Sequence, residues 1–186
     1  MKAIGIVGSP RKNGNTEILT AHCLKAIAEE GLETEIIQLA GKKITGCIHC
    51  EYCFKHPGEC SQKDDMQAVR AKMVEADALI IGTPVYYGAA TALVRGLMER
   101  AAFCERGGLS GKVGGPIVVA RRAGQNFTFA EMNFWFYLNG ITNPAGTYWN
   151  MAVGMGKGEV EKDEEGMRTA WGFGKNVAKL TKKLKE

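Results

Sequence analysis

The sequence predicts an open, doubly wound α/β fold: five parallel strands with helices on both faces. Two observations predict it. Short apolar runs alternate with segments of helical period along the chain. Those runs also lack polar alternation, which marks strands buried on both faces, as in a parallel sheet. Right-handed crossovers between such strands then give the doubly wound arrangement.

The elements follow in order. Residues 3–7, Ala-Ile-Gly-Ile-Val, form the first apolar run and lead into the turn Gly8-Ser-Pro10. From Asn15 the period becomes helical: Leu19, Cys23, Ala26 and Ile27 share a face, and Gly31 stops the helix. Residues 34–39 read as the second strand. A cysteine-rich loop follows, and Asp64 and Asp65 open a second helix carrying Met66, Val69, Met73 and Val74. Residues 78–83 are the third strand and 84–88 a loop. Residues 89 to about 103 are the third helix, with Leu93, Leu97 and Ala101 on one face. Residues 116–120 read as the fourth strand, 127–138 as the fourth helix, and 141 to about 146 as the fifth strand. A glycine-rich and then acidic stretch, its run 159–165 read as a solvated helix start, leads to a last helix. There Phe173, Val177, Leu180 and Leu184 form one apolar stripe.

A chain of 186 residues can bury one core, so 1–186 is expected to be a single domain without repeats or linkers. The formal charge is only +4, and the C-terminal lysines read as the solvated end of the last helix. No aromatic-basic interleaving accompanies them, so nucleic acid is not an expected partner. No run is long enough to span a bilayer. The first apolar run is too short for a signal peptide. The expectation is a cytoplasmic protein with no membrane partner, whose thiols stay reduced. Clustered cysteines in that setting point to metal or redox chemistry rather than disulfides.

In a doubly wound sheet the ligand sits outside the carboxyl ends of the strands, at the switch in strand order. Three loops end there: residues 9–16, 84–88 and 121–125. The first, Gly8-Ser-Pro-Arg-Lys-Asn-Gly-Asn-Thr16, offers hydroxyls, an amide, two cations and a helix N-terminus, a set suited to phosphate. It lacks the lysine of a P-loop and the spacing of a dinucleotide fingerprint. The plainer reading is a turn capped by Asn15 or Thr16. In the second loop, Thr83-Pro-Val-Tyr-Tyr-Gly88, Tyr86 and Tyr87 either lie along a flat ring or cap the core. Together the two loops suggest a flat aromatic ring joined to a phosphate.

Cys47, Cys50, Cys53 and Cys60 are spaced C-x2-C-x2-C-x6-C. Three readings compete. Structural zinc often uses paired knuckles, but here the first three cysteines overlap in one run. A redox dithiol needs a helix starting directly after it, and none is expected. The overlapping run is like a ferredoxin loop, whose thiolates wrap an iron-sulfur cubane. Cys60 departs from that pattern, since it lies six residues on and precedes Ser61 rather than proline. Cys23 and Cys104 fall on helix faces and read as core. His49 and His56 read as neighbours of the motif, not ligands.

The motifs at 8–16 and 83–88 resemble those of the NADPH-dependent FMN reductase and flavodoxin-like superfamily. The motif at 47–60 resembles that of the iron-sulfur flavoproteins. The resemblance runs to about residue 147, and the loop and helix at 148–186 match loosely. It implies a flavodoxin-like five-stranded parallel sheet with a cysteine-rich insertion after strand 2. It implies FMN, with the phosphate on Ser9, Arg11, Gly14, Asn15 and Thr16 and the isoalloxazine against Pro84, Val85, Tyr86, Tyr87 and Gly88. Arg121 and Gly124 would close the far side of the ring, with Arg121 or Arg122 facing the flavin. Cys47, Cys50, Cys53 and Cys60 would hold one [4Fe-4S] cluster. The cofactors then carry the chemistry, and no side chain need be a nucleophile, acid or base. The implied function is an oxidoreductase passing electrons between a one-electron donor such as ferredoxin and an unidentified acceptor. Two alternatives remain: an NAD(P)H-dependent FMN or quinone reductase with structural zinc, and a zinc-stabilised binding module without turnover. The apolar helix at 127–137 adds the expectation of a homo-oligomer, a dimer or tetramer.

Overall fold

In the computed structural model, which describes residues 1–186, a strand at Ala78–Pro84 runs through the middle of the sheet. Its side chains alternate between two cores. Leu79 and Ile81 join one cluster of buried residues, and Ala78 and Ile80 join the other. Its one polar side chain, Thr83, is fully buried and accepts from the Thr91 N–H, and the rest of the run is apolar with no period of two.

That strand is β3. The full order is β1 (Lys2–Val7), α1 (Asn15–Glu29), β2 (Glu33–Gln38), α2 (Tyr52–Lys55), α3 (Met66–Glu75), β3, α4 (Ala92–Glu105), β4 (Val113–Ala120), α5 (Gln125–Leu138), β5 (Met151–Val153), a 3-10 turn (Glu159–Lys162) and α6 (Glu164–Lys185). All neighbouring strands are parallel, in the order β2-β1-β3-β4-β5. That is the flavodoxin-like order, and its switch point lies between β1 and β3. One face packs Leu19 and Ile27 of α1 with Phe173 and Val177 of α6. The other packs Met66 and Met73 of α3, Leu97 of α4 and Phe136 of α5.

Three expectations about elements need correction. The last strand is not at 141–146. Only Thr142 bridges to Val113 there, while Gly140 and Ala145 take positive φ of 66° and 56°. Pro144 also lacks an N–H for a ladder. The chain instead pairs later, Met151–Val153 against Val118–Ala120. The third helix begins at Ala92, not 89, because Thr91 caps it and accepts from the Val94 N–H at 3.4 Å. A one-turn helix, Tyr52–Lys55, follows Cys50, where none was expected. No helix is long and apolar enough to cross a membrane.

Candidate functional site

The first cavity lies at the strand ends beside the switch point and measures about 470 Å³. Loop 9–14 forms one wall. Gly8 is pinned by its N–H to the Gly82 carbonyl at 2.7 Å, and its own carbonyl accepts from the Thr91 hydroxyl at 2.7 Å. A side chain at Gly8 would fall 1.9 Å from Val94, so only glycine lets the loop approach α4 this closely. Ser9 accepts from the Arg11 N–H at 3.1 Å, which curls the loop back over the start of α1. No side chain caps α1. Its first N–H groups have no partner within the helix, and with the dipole they make a seat for an anion.

Ser9, Arg11, Gly14, Asn15 and Thr16 all border this cavity, as do Pro84, Val85, Tyr86 and Arg121. Tyr87, Gly88, Gly124 and Arg122 do not. The reason is a tight turn. Tyr86 and Ala89 exchange backbone hydrogen bonds, and Tyr87 and Gly88 between them take positive φ of 53° and 79°. Such a two-residue turn throws Tyr87 clear of the protein, so it neither lines the cavity nor caps the core. Gly124, at φ +90°, begins α5 and backs onto the same turn, with its missing Cβ 3.1 Å from Val85.

The sequence reading missed a fourth wall. Residues 154–157 and Glu159 form a strap along the cavity, and Lys157 joins Arg11, Lys12 and Arg121 around it. Asn15 holds this strap. Its amide donates to the Gly156 carbonyl at 2.8 Å, and its oxygen accepts from the Gly158 and Val160 N–H groups. The Asn15 side chain is thus a hinge pin, while its backbone stays in the helix N-terminus. Glu159 accepts from the Gly156 N–H and then the Met155 N–H, which hold its carboxyl below the usual range. No local spacing could reveal this, because Asn15 and Gly156 meet only in three dimensions.

The second cavity is small and lies on α4. Cys47, Cys50, Cys53 and Cys60 all line it, together with Arg100, Phe103 and Cys104. Cys47 and Cys50 are exposed, Cys53 is half-buried and Cys60 is buried. No three His, Cys, Asp or Glu groups stand in a form that could hold a single metal ion. The chemistry of the donor set, four cysteines around one hollow, does fit a thiolate-bound group. The Ser61 hydroxyl and then the Tyr52 N–H hold the Cys50 thiol below its usual range. Helix α2 therefore does follow this cysteine, contrary to the ground on which a dithiol was set aside, but one turn carries little dipole.

Helix α4 is the floor of this cavity, and its use has a period. Gly96, Arg100 and Cys104 are spaced i, i+4, i+8 on the face beside the core stripe of Leu97 and Ala101. A side chain at Gly96 would lie 2.8 Å from the Thr45 carbonyl, so glycine admits the incoming chain. Glu99 accepts from the Cys47 N–H at 3.1 Å. The Cys104 carbonyl accepts from the Gly58 N–H at 3.0 Å, and its thiol donates to the Glu59 carbonyl. Burial, then the neighbouring Cys60 and Cys53, push the Cys104 thiol up to about 12. Cys104 is thus core, as expected, yet also a fifth sulfur at the cavity. Cys23 is plain core, its thiol raised by burial alone.

A flavodoxin-type sheet with a cavity and an uncapped helix N-terminus at its switch point defines the class: a flavodoxin-like α/β protein with a nucleotide-sized cavity. The chain belongs to the NADPH-dependent FMN reductase family, whose model matches residues 1–153. It is 41% identical to an iron-sulfur flavoprotein of Methanocaldococcus jannaschii, covering 100% of both chains. It is 31% identical to an iron-sulfur flavoprotein of Methanosarcina thermophila, covering 99% of this chain and 93% of that one. Among solved structures, RosB with a bound formylriboflavin phosphate intermediate superposes with a TM-score of 0.81 at 19% identity, over 100% of this chain and 80% of that one. An archaeal flavodoxin gives 0.64 at 14% identity, over 98% and 99%. The chain is accordingly a flavin-dependent oxidoreductase.

Proposed function

We propose that this protein is an FMN and [4Fe-4S] redox protein that passes electrons between a one-electron donor such as ferredoxin and an unidentified acceptor. The observation that carries this reading is the pairing of cavities: one helix, α4, meets the anion-seating loop at Thr91 and the four-cysteine hollow at Arg100. The names of relatives sharing 31% to 41% identity with this chain support the cluster.

On this reading the α1 N-terminus, Ser9, Arg11, Gly14 and Thr16 hold the FMN phosphate. Lys12, Lys157 and Arg121 neutralise charge around it, and Asn15 keeps the strap closed. Pro84, Val85 and Tyr86 flank the ring, while Tyr87, Gly88 and Gly124 shape the turn behind them. Cys47, Cys50, Cys53 and Cys60 ligate the cluster. Bound FMN takes electrons singly or in pairs and a cluster takes them singly, so the two together convert between donors and acceptors. The protein's own part is to bind, orient and shield. Phe127, Phe134, Tyr137 and Leu138 stand exposed on α5. We assign that apolar face to a homo-oligomer contact, a dimer or a dimer of dimers.

The test is anaerobic purification followed by a visible spectrum and assays of iron, sulfide, zinc and flavin. Iron and sulfide near four each per chain, with one FMN, is the expected result. Zinc with FMN would replace the reading by a reductase with a structural metal. Zinc without flavin would leave a binding module.

A further inference from the structure

Arg100 is 1% exposed, one of the largest fully buried side chains in the protein. A buried guanidinium needs partners for its donors, and it persists only where those partners are fixed. Here they are. One terminal nitrogen donates to Asp64 Oδ2 at 2.5 Å and to the Thr45 carbonyl at 3.3 Å. The other donates to Asp64 Oδ1 at 3.0 Å, to the Gln62 carbonyl at 3.2 Å and to Cys60 Sγ at 3.3 Å. Thr45 precedes the cysteine segment, while Gln62 and Asp64 follow it. A single side chain therefore ties both ends of a segment of some fifteen residues to α4 and also touches one of its sulfurs. The pairing with Asp64 is bidentate, which fixes the plane of the fork and hence the direction of the N–H toward Cys60.

A half-buried cation serves as the contrast. Arg70 of α3 pairs with Glu105 of α4, with side chains 16% and 11% exposed, and has no bond to a sulfur. Ion pairing alone does not require a contact with Cys60.

We propose that Arg100 is a positioning residue for the cysteine site: it holds Cys60 and closes the cysteine segment onto α4 ahead of metal, and its charge stabilises the reduced form of the group bound there. This rests on the cluster reading. The fork and the charge act separately. The fork organises the ligands and governs loading. The charge lies against one thiolate in a buried setting, where a cation favours the state with one more electron. Asp64, on the far side of the guanidinium, acts with the opposite sign.

The test uses the full chain, reconstituted anaerobically with iron and sulfide, in wild type and in Arg100→Gln, Arg100→Lys, Asp64→Asn and Arg70→Gln. Iron, sulfide and FMN per chain are assayed, and the reduction midpoint of the iron-sulfur absorption is titrated. Arg100→Gln is expected to keep FMN, lose loading several-fold, and titrate at a more negative potential in the fraction that loads. Arg100→Lys keeps the charge without the fork, so loading falls while the midpoint stays nearer wild type. Asp64→Asn shifts the midpoint positive, and Arg70→Gln, which removes a charge without a bond to sulfur, shifts it less than Arg100→Gln does. Full loading of Arg100→Gln at an unshifted midpoint would overturn the proposal. So would joint loss of FMN and cluster in both Arg100 variants, which would make Arg100 a residue of the whole fold. A wild-type chain that takes up no iron and sulfide overturns the cluster reading itself, a result visible before any variant is made.

Discussion

The strand-end cavity and the cysteine cavity touch the same helix, Thr91 at its start and Arg100 nine residues on, about 14 Å along the axis. They are built from different materials. The first is mostly backbone: a helix N-terminus, a loop held by carbonyls, and glycines where a Cβ would collide. The second is mostly side chains: sulfurs on a wandering segment, kept in place by Gly96, Glu99, Arg100 and Cys104 on one face of α4.

Four experiments sharpen that contrast, from the largest effect to the smallest. Cys60→Ala should abolish iron and sulfide binding while FMN stays bound, measured by metal assay and flavin absorbance. Loss of FMN as well would show that the two cavities are one structural unit. Gly8→Ala should do the opposite. Its Cβ meets Val94 at 1.9 Å and the Gly82 carbonyl at 3.0 Å, so the loop must shift. The expected cost is about 1–3 kcal/mol of stability by denaturant melt, with weaker FMN binding and intact metal uptake. Asn15→Ala removes the three hydrogen bonds of the strap. At about 1 kcal/mol net for a typical bond, with only part of the strap's loss felt in the bound state, FMN affinity should fall roughly tenfold by fluorescence titration. An unchanged affinity would mean the strap does not contribute to binding.

The smallest effect is a pH dependence in the metal-free chain. Burial raises the Asp64 carboxyl, but the Arg100 hydrogen bond and then the Thr45 N–H outweigh it, so its pKa lies below the ordinary value of 3.8. A carboxylate depressed on folding adds stability above its unfolded pKa, near 4. That contribution is lost as pH falls through the lower, folded value. The Tm of wild type should therefore exceed that of Asp64→Asn at pH 5, and the gap should narrow as the pH falls below about 4. A gap independent of pH would show that the Asp64 charge does not stabilise the fold.

Much of this was legible in the sequence. The strands at 3–7, 78–83 and 116–120 are apolar on both faces, and that alone forces a covered parallel sheet. The loops at their ends were placed correctly for the same reason. What failed was short, or depended on partners far along the chain. Residues 141–146 look like a strand, but Pro144 and the positive φ of Ala145 break it. Tyr86 and Tyr87 look alike, yet a two-residue turn sends one to the cavity rim and the other into solvent. Of the two arginines in the helix at 92–105, Arg100 shares the spacing of Leu93 and Leu97, and a charge at core spacing calls for a partner.

The cysteine segment shows the division. Its spacing, and the placing of all four thiols after the second strand, come from the chain alone, because ligand identity and order are local properties. Which helix receives the segment, why Gly96 lets it approach, and why Arg100 rather than solvent meets Cys60 were decided only when α4 packed beside it. Those contacts join residues 36 to 55 positions apart, and no pattern within one element encodes a partner at that distance.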